Sequence, residues 1–405
     1  MVLERSEEAM VEASPGYMTE ERLMMQESAR EFTMKEVLPV ANELDPVQGD
    51  IPMDLRRKMG EMGYFGIRIP EEYGGLGLGV FEYCMIAEEL SRGWMSVASI
   101  IARAGGVMGV GGWSEERRLA LTRKAAQGEY LAAVALSEPN VGSDLQAVNC
   151  KAVMAGDEWV ITGNKYWCTF ADGADYISLL ARVEESADHP YKGLRTFIIE
   201  KPRGELPAGC QGAPIPKIGY HGWKTWELAF DGCRIPKENI IGGTSADGFK
   251  STASNLEVAR AHTAARAIGL ARGALEDAIA YSHERVQFGQ PIADFQETRF
   301  KIARMASEIE AARQLMYFVC TELDNRRRAD KESSMVKWLA TEMAERVTSD
   351  CLQILGGAGY TKLHPMERYW RDARLTKIFE GTSEIQLRII SDRILGRPTN
   401  RQNQS

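Results

Sequence analysis

Four segments bring together residue types suited to holding a ring, a phosphate and a proton. Leu136-Ser137-Glu138-Pro139-Asn140-Val141-Gly142-Ser143-Asp144 leaves an apolar run and enters a Pro/Gly/Asn loop that offers backbone N–H groups and small hydroxyls to a ligand. Lys165-Tyr166-Trp167-Cys168-Thr169 sets an indole near a hydroxyl. Strand alternation sends Trp167 and Thr169 to one face, where the indole could cover a flat ring and the hydroxyl bond to its edge. Arg285-Val286-Gln287-Phe288-Gly289 precedes Pro291, and an Arg and a Phe at a helix break can grip a phosphate and an aromatic ring. The fourth segment runs from Gln353 through Gly359, Arg371 and Asp372 to Ile378-Phe379-Glu380-Gly381-Thr382-Ser383-Glu384-Ile385-Gln386. Ser383 and Gln386 have capping-box spacing, so a helix starts there and Glu380 falls in the loop before it. A carboxylate among aromatic and apolar groups suits a general base. Taken singly, each segment fits a blander role: a turn, a core Trp, a capped helix end, a solvated Glu.

These segments need elements to position them. From Thr19 to about Lys124 the pattern is helical, with Pro46, Pro52, Pro70 and Gly74-Gly75 as punctuation. Near Tyr130 short apolar runs take over: Trp159-Val160-Ile161 and Tyr166-Trp167-Cys168 flank Gly163-Asn164, which has the form of a two-residue hairpin turn. Tyr176–Val183, Thr196–Ile199 and Glu227–Phe230 read as further strands. Helical pattern returns near Ala246 and continues to about Arg393, with Ile302, Met305, Ala306, Ile309, Ala312 and Met316 on one stripe. The fold class is therefore α+β: a flexible leader (1–16), an N-terminal helical domain (17–130), a middle β-barrel or sandwich domain (131–245), a C-terminal four-helix-bundle-like domain (246–396) and a tail (397–405).

Composition narrows the classes. A chain of 405 residues with net charge −8 is too long for one core and a poor nucleic-acid binder. Its seven cysteines form no C-x-x-C pair or metal-spaced cluster, which fits reduced thiols and no metal. No apolar stretch is long enough to span a membrane, and the acidic N-terminus has no signal-peptide pattern, so cytoplasm is the default compartment.

In this order and at this spacing, the four segments resemble the acyl-CoA dehydrogenase family from about residue 19 to 396. The first is similar to the family's T-E-P-x-x-G-S-D and the second to its W-[IV]-T strand. The third resembles R-x-x-F-G-x-x-[IL], continued by Gln296 and Ile309-Glu310-Ala311-Ala312-Arg313. The fourth resembles Q-x-x-G-G-x-G-[YF] through R-D-A to E-G-T-S-[EQ]-I-Q. The resemblance implies FAD held between the β domain and the C-terminal bundle, a homotetramer or dimer whose subunits share the cofactor, and dehydrogenation of a coenzyme A thioester to a trans-2-enoyl-CoA. It also implies an electron-transfer flavoprotein as acceptor.

By the same resemblance, Ser137 and Ser143 face the flavin, Trp167 packs along its rings and Thr169 bonds near N5. Arg285 and Phe288 reach the FAD of a neighbouring subunit; Gln353, Gly356 and Gly357 touch its pyrophosphate and adenosine; Thr382 and Glu384 lie close to it. Glu380 matches the catalytic base and Gly381 adjoins the substrate. Arg260 matches an Arg near the substrate; where some members place a base just before it, this chain has Ala259, and Glu257 points to another helix face. The thioester oxygen would take hydrogen bonds from a ribityl hydroxyl and the Glu380 backbone N–H.

The chain departs from the family pattern at Asn140-Val141, Cys168, Phe170, Trp223, Lys224 and Arg103. Arg103 falls in the helix that floors the acyl pocket, where an unpaired buried cation costs several kcal/mol on the order-of-magnitude scale for buried ions. It pairs with a carboxylate on a glutaryl- or benzylsuccinyl-type acyl chain, or else snorkels or pairs within the protein; Gly105-Gly106 leaves room for a bulky or aryl group. An acyl-CoA oxidase, a decarboxylating or desulfinating relative, and a non-catalytic FAD- or CoA-binding protein are the competing readings. The motifs leave the acyl chain, electron acceptor and pathway open.

Overall fold

A computed structural model describes residues 16–105, 107–183, 193–242 and 248–398. Residues 1–15 of the predicted leader (1–16), Gly106, Ala246 and residues 399–405 of the predicted tail (397–405) lie outside the described residues. In chain order the main elements are α1 (Glu20–Phe32), α2 (Leu38–Leu44), α3 (Met53–Glu61), α4 (Val80–Gly93), α5 (Met95–Ile100) and α6 (Glu115–Ala126). Then come β1 (Ala132–Ala135), β2 (Lys151–Ala155), β3 (Glu158–Thr169), β4 (Tyr176–Arg182), β5 (Leu194–Glu200), β6 (Cys210–Pro214) and β7 (Thr225–Pro236). Last are α7 (Gly248–Glu284), β8 (Val286–Gln287), β9 (Gln290–Pro291), α8 (Gln296–Asp324), α9 (Asp330–Leu355), α10 (Met366–Thr376) and α11 (Ser383–Leu395). Helical, then sheet, then helical elements follow one another, the α+β architecture read from the sequence.

Two compact units form. The first gathers Met1–Gln48, Gly79–Ser99 and Glu257–Ile390. Its centre is α4, in which every residue is buried. A helix buried all round has no solvated face for charges, yet α4 carries Glu88, Glu89 and Arg92. All three are paired: Arg313 Nη2 donates to Glu88 at 2.9 Å, Arg272 Nη1 to Glu89 at 2.6 Å, and Arg92 to Glu276 and Asp277 at 2.9 Å each. In α8 the predicted stripe buries Met305, Ile309, Ala312 and Met316, with Ile302 and Ala306 half-buried at its edge, and packs on α9.

The second unit gathers Gly49–Leu78, Ile100–Leu256 and Ser391–Ser405 around a seven-stranded sheet, ordered β1-β4-β2-β3-β7-β6 with β5 on β4. Tyr130, Tyr176, Trp113, Val110 and Ile198 form one apolar cluster beside it. Tyr130 and Tyr176 stack at 4.9 Å.

The sheet corrects one expectation. Gly163-Asn164 is not a hairpin turn; β3 runs unbroken through it, pairing Gly163 with Phe230 and Asn164 with Ala229 of β7. The turn lies earlier, where Ala155 pairs with Glu158 across the two-residue loop Gly156-Asp157, with Gly156 at φ 68°. Gly163 is a glycine for another reason: its φ is 140°, and a Cβ there would sit 2.7 Å from the Cα of Cys150. A glycine within a strand often marks such close backbone approach.

Candidate active site

In the first unit the site grows from the loop between α10 and α11. Leu375 O accepts from Ile378 N (2.8 Å), and Lys377 O accepts from Ser383 N (3.0 Å), so the loop closes on itself. Glu380 is held at φ 55° and Gly381 at φ 94°. A non-glycine residue at positive φ is strained, and such strain collects at working sites. A Cβ at Gly381 would also fall 2.5 Å from Gln386 Nε2, the end of a side chain that can shift. The Gly381 carbonyl accepts from Lys337 Nζ at 2.6 Å and from Gln386 Nε2 at 2.9 Å. Lys337 is fully buried, and burial pushes its ammonium from 10.5 down to about 8, partly offset by the Glu380 carboxylate.

The capping expectation needs a correction of one residue. α11 does begin at Ser383, but its amide donor Ile385 N is met by Thr382 Oγ1 at 3.4 Å, while Ser383 Oγ donates to Glu342 at 2.7 Å. Thr382 is thus the cap. Glu384 lies in the first turn, where its own backbone N–H and then Thr382 hold its carboxyl below the usual range.

Glu380's neighbours also differ from the apolar setting expected. Arg266 Nη2 donates to both carboxylate oxygens at 2.8 Å, and Thr263 Oγ1 donates to Oε2. Thr263 and Arg266 stand three residues apart on α7, so they share a face. Arg266 is 1% exposed and Glu380 34%, so the acid is reachable while its partner is sealed. The Phe379 ring lies 4.8 Å from the guanidinium. Arg260 is half-buried on the same helix, and burial lowers its pKa. Glu257 accepts from Ala329 N at 3.3 Å at the start of α9, a structural role.

Phe288 and Gln353 also come together in the first unit. Phe288-Gly289 forms the two-residue turn between β8 and β9, both residues at positive φ. That turn leaves Phe288 95% exposed. A groove of about 370 Å³ is lined by Gln287, Phe288, Phe295, Thr298, Lys301 and Gln353. Arg285 is exposed beside it in sequence, and the helix ends in Gly356 at φ 58°, with no atom within 4 Å of a Cβ built at Gly356 or Gly357.

The second unit holds the remaining residues. Glu138 pins the loop after β1: it accepts from Cys150 N (2.8 Å), Asn149 N (2.9 Å) and the buried Lys165 Nζ (2.9 Å). Ser137 O accepts from Tyr166 N at 2.9 Å, which ties the loop to β3; Ser143 is exposed farther along it. In β3 the buried positions are 159, 161 and 165, and then 168. The phase reverses at a bulge between Lys165 and Cys168, where Trp167 takes φ 64°. Simple alternation would have buried Trp167; the bulge leaves it 57% exposed. Thr169 Oγ1 lies 3.0 Å from Thr225 Oγ1. Cys168 is fully buried and its thiol is pushed up to about 12 by burial, so it is not a nucleophile.

The departures cluster as well. Arg103 lies over the Trp223 ring at 5.3 Å, Trp223 is 5.7 Å from Phe170, and Arg56 lies 5.2 Å from Phe170. Among the described residues the buried Arg103 Nε has no hydrogen-bond partner.

An exposed indole with a hydroxyl pair at the end of its strand suits a flat, polar-edged ring system. The open Gly356-Gly357 turn and the groove beside Phe288 and Gln353 suit a phosphate and a second ring. These donor sets fit FAD. Among the described residues there is no group of His, Cys, Asp and Glu that could hold a metal, and no helix long and apolar enough to cross a membrane. Arg266, Thr263 and Lys337 were not singled out from the sequence. The available signal was a lone Arg in the small-residue run Ala264-Ala265-Arg266-Ala267.

Family models for the N-terminal, middle and C-terminal domains of acyl-CoA dehydrogenases match residues 19–129, 133–233 and 246–395. The chain is 40% identical over 384 residues to (2S)-methylsuccinyl-CoA dehydrogenase of Cereibacter sphaeroides, covering 93% of this chain and 70% of that one. It is 35% identical over 384 residues to 3-(aryl)acrylate reductase of Clostridium sporogenes, covering 94% and 100%. The solved glutaryl-CoA dehydrogenase–glutaryl-CoA complex superposes with a TM-score of 0.86 at 32% identity, covering 94% and 96%. The chain belongs to the acyl-CoA dehydrogenases, FAD-dependent oxidoreductases built from these three domains.

Proposed function

We propose that the protein oxidises the α,β-bond of an acyl-CoA thioester that carries a second carboxylate, with Glu380 as the base. The observation that carries the base assignment is the Glu380 carboxylate itself: partly open, on a strained backbone, and fixed from behind by a sealed Arg266. Bound FAD supplies a two-electron acceptor for the β-hydrogen, which leaves as hydride. Glu380 takes the α-proton on a carboxylate oxygen, and the electrons of that C–H bond become the new C=C bond, giving a trans-2-enoyl-CoA. Lys337 and Gln386 hold the Gly381 carbonyl and so anchor the loop that carries Glu380, whose N–H would donate to the thioester oxygen. Trp167 and Thr169 would lie along and at the edge of the flavin ring, with Ser137 and Ser143 beside it. Phe288, Arg285, Gln353, Gly356, Gly357, Thr382 and Glu384 would serve FAD's remaining parts.

Arg103 supports the acyl-chain assignment. Its guanidinium lies over Trp223 and, among the described residues, its Nε has no hydrogen-bond partner, so a substrate carboxylate would complete its hydrogen bonding. Relatives named for methylsuccinyl-CoA and glutaryl-CoA, both dicarboxylic thioesters, point the same way. Arg260 and Gly381 would border the thioester. An electron-transfer flavoprotein as acceptor and a homotetramer complete the proposal and rest on the resemblance; a cytoplasmic site and the domain division 17–130, 131–245 and 246–396 rest on the sequence pattern. Anaerobic titration with straight, branched, aryl and dicarboxylic acyl-CoAs tests it. Dicarboxylic members should bleach the flavin band at the lowest concentration, and Arg103→Leu should remove that preference. An unchanged preference in Arg103→Leu would sink the carboxylate assignment.

A further inference from the structure

We infer that Arg266 is a positioning residue for proton abstraction: it clamps the Glu380 carboxylate in the one orientation from which an oxygen faces the α-carbon. The inference rests on the reading of Glu380 as the base. Four observations carry it. Arg266 Nη2 meets both Glu380 oxygens at 2.8 Å and Thr263 Oγ1 meets Oε2 alone, so turning the carboxylate loses the Thr263 contact. Arg266 is itself fixed: Nη1 donates to Ser99 Oγ at 2.8 Å, Nη2 to Thr263 Oγ1 at 3.0 Å, and Nε to His262 O at 3.3 Å. Thr263 Oγ1, on the same face of α7 as Arg266, lies within hydrogen-bonding distance of Glu380 Oε2 and, at 2.9 Å, of Ala259 O, its one proton serving either. The backbone under Glu380 is strained at φ 55°, and a strained residue keeps its place only when its surroundings over-determine it.

The guanidinium is sealed at 1% exposure while the acid stays 34% open, so the carboxylate is held from behind and still reachable. Leaving a carboxylate free to rotate is a misplacement of about 1 Å, which costs on the order of a hundredfold in rate.

The test separates proton abstraction from hydride loss. In 3,3-dimethylbutyryl-CoA and 3,3-dimethylglutaryl-CoA the β-carbon has no hydrogen, so only the α-proton can move. The proton passes to Glu380, and a deuteron from solvent returns to the α-carbon. Exchange in D2O is followed by mass spectrometry in FAD-loaded wild type, Glu380→Gln, Arg266→Gln and Arg266→Lys, with kcat and KM for the best oxidisable substrate measured alongside. Glu380→Gln should abolish exchange. If it does not, or if wild type exchanges neither thioester, the base reading fails. With that control in place, Arg266→Gln should slow exchange and kcat about a hundredfold with KM within a few-fold, and Arg266→Lys should recover about tenfold of the loss. Exchange in Arg266→Gln within threefold of wild type, or a loss confined to KM, would overturn the inference. Should Arg266→Gln fail to fold, Arg266→Lys decides alone: a tenfold slower exchange supports the clamp, and wild-type exchange overturns it.

Discussion

Replacing Gly163 with Ala separates a continuous β3 from the hairpin that the Gly-Asn pair suggests. Two costs add in the structure. The first is backbone strain, because φ 140° is a region L side chains rarely adopt; such strain costs about 1–3 kcal/mol. The second is collision, because the new Cβ would lie 2.7 Å from the Cα and 3.0 Å from the Cβ of Cys150. Main-chain atoms inside a sheet cannot swing aside, and overpacking of this kind costs about 1–3 kcal/mol. The sum is about 2–6 kcal/mol, large against the whole stability of a domain. Gly156→Ala is the matched control: its φ is 68°, but nothing lies within 4 Å of the added methyl, so only the strain remains. Denaturant unfolding of both variants followed by sheet circular dichroism gives the difference, and the flavin absorbance of the purified proteins reports whether the proposed flavin site at Trp167 and Thr169, farther along β3, survives. Gly163→Ala should lose more stability than Gly156→Ala and retain less flavin. Equal, mild losses would mean that residue 163 sits in open space, and the continuous strand would be wrong.

Three further outcomes follow from the geometry. Gly381→Ala puts a Cβ 2.5 Å from the flexible end of Gln386, which can move, so stability should fall by only about 1–3 kcal/mol while kcat drops far more than thermal unfolding would suggest. Lys337 titrates at about 8 in the folded protein against 10.5 unfolded, so between these values the unfolded chain binds the extra proton and this group makes stability rise with pH. Activity should run the other way, falling above about pH 8 as the Gly381 carbonyl loses its charged donor, and Lys337→Met should be slower but flat through that range in stopped-flow flavin reduction. Arg272→Met strips the partner from the buried Glu89 and should destabilise by about 3–5 kcal/mol in denaturant titration, because an uncompensated charge stays behind.

Periodicity made the helices legible. The α8 stripe from Met305 to Met316 is a 3.6-residue pattern and buries as one. The loop holding Glu380 was legible too, since its Gly and its capping residues announce a helix start. What escaped were features set by distant contacts. A hairpin signal and a strand glycine look alike until Cys150 is seen pressing on Gly163. The bulge that turns Trp167 outward is an irregularity that alternation cannot express, and it decides whether that indole belongs to the core or to a ligand. The buried pairs of α4 were not legible because their partners, Arg272 and Arg313, lie far along the chain. Arg266 was missed for the same reason: its contacts with Ser99 and Glu380 span separations of 167 and 114 residues. Arg103 was noticed as an oddity, but only the structure sets it on Trp223, a second oddity, and so makes the two one feature.

The central claim is that Glu380 removes the substrate's α-proton. Its most direct measurement is anaerobic stopped-flow flavin reduction by the best acyl-CoA, carried out with wild type and FAD-loaded Glu380→Gln. Glu380→Gln should bind the thioester, shown by a perturbed flavin spectrum, yet fail to bleach at even a thousandth of the wild-type rate, roughly the loss expected when a general base is removed. Bleaching within tenfold of wild type would contradict the account and move the base to another residue.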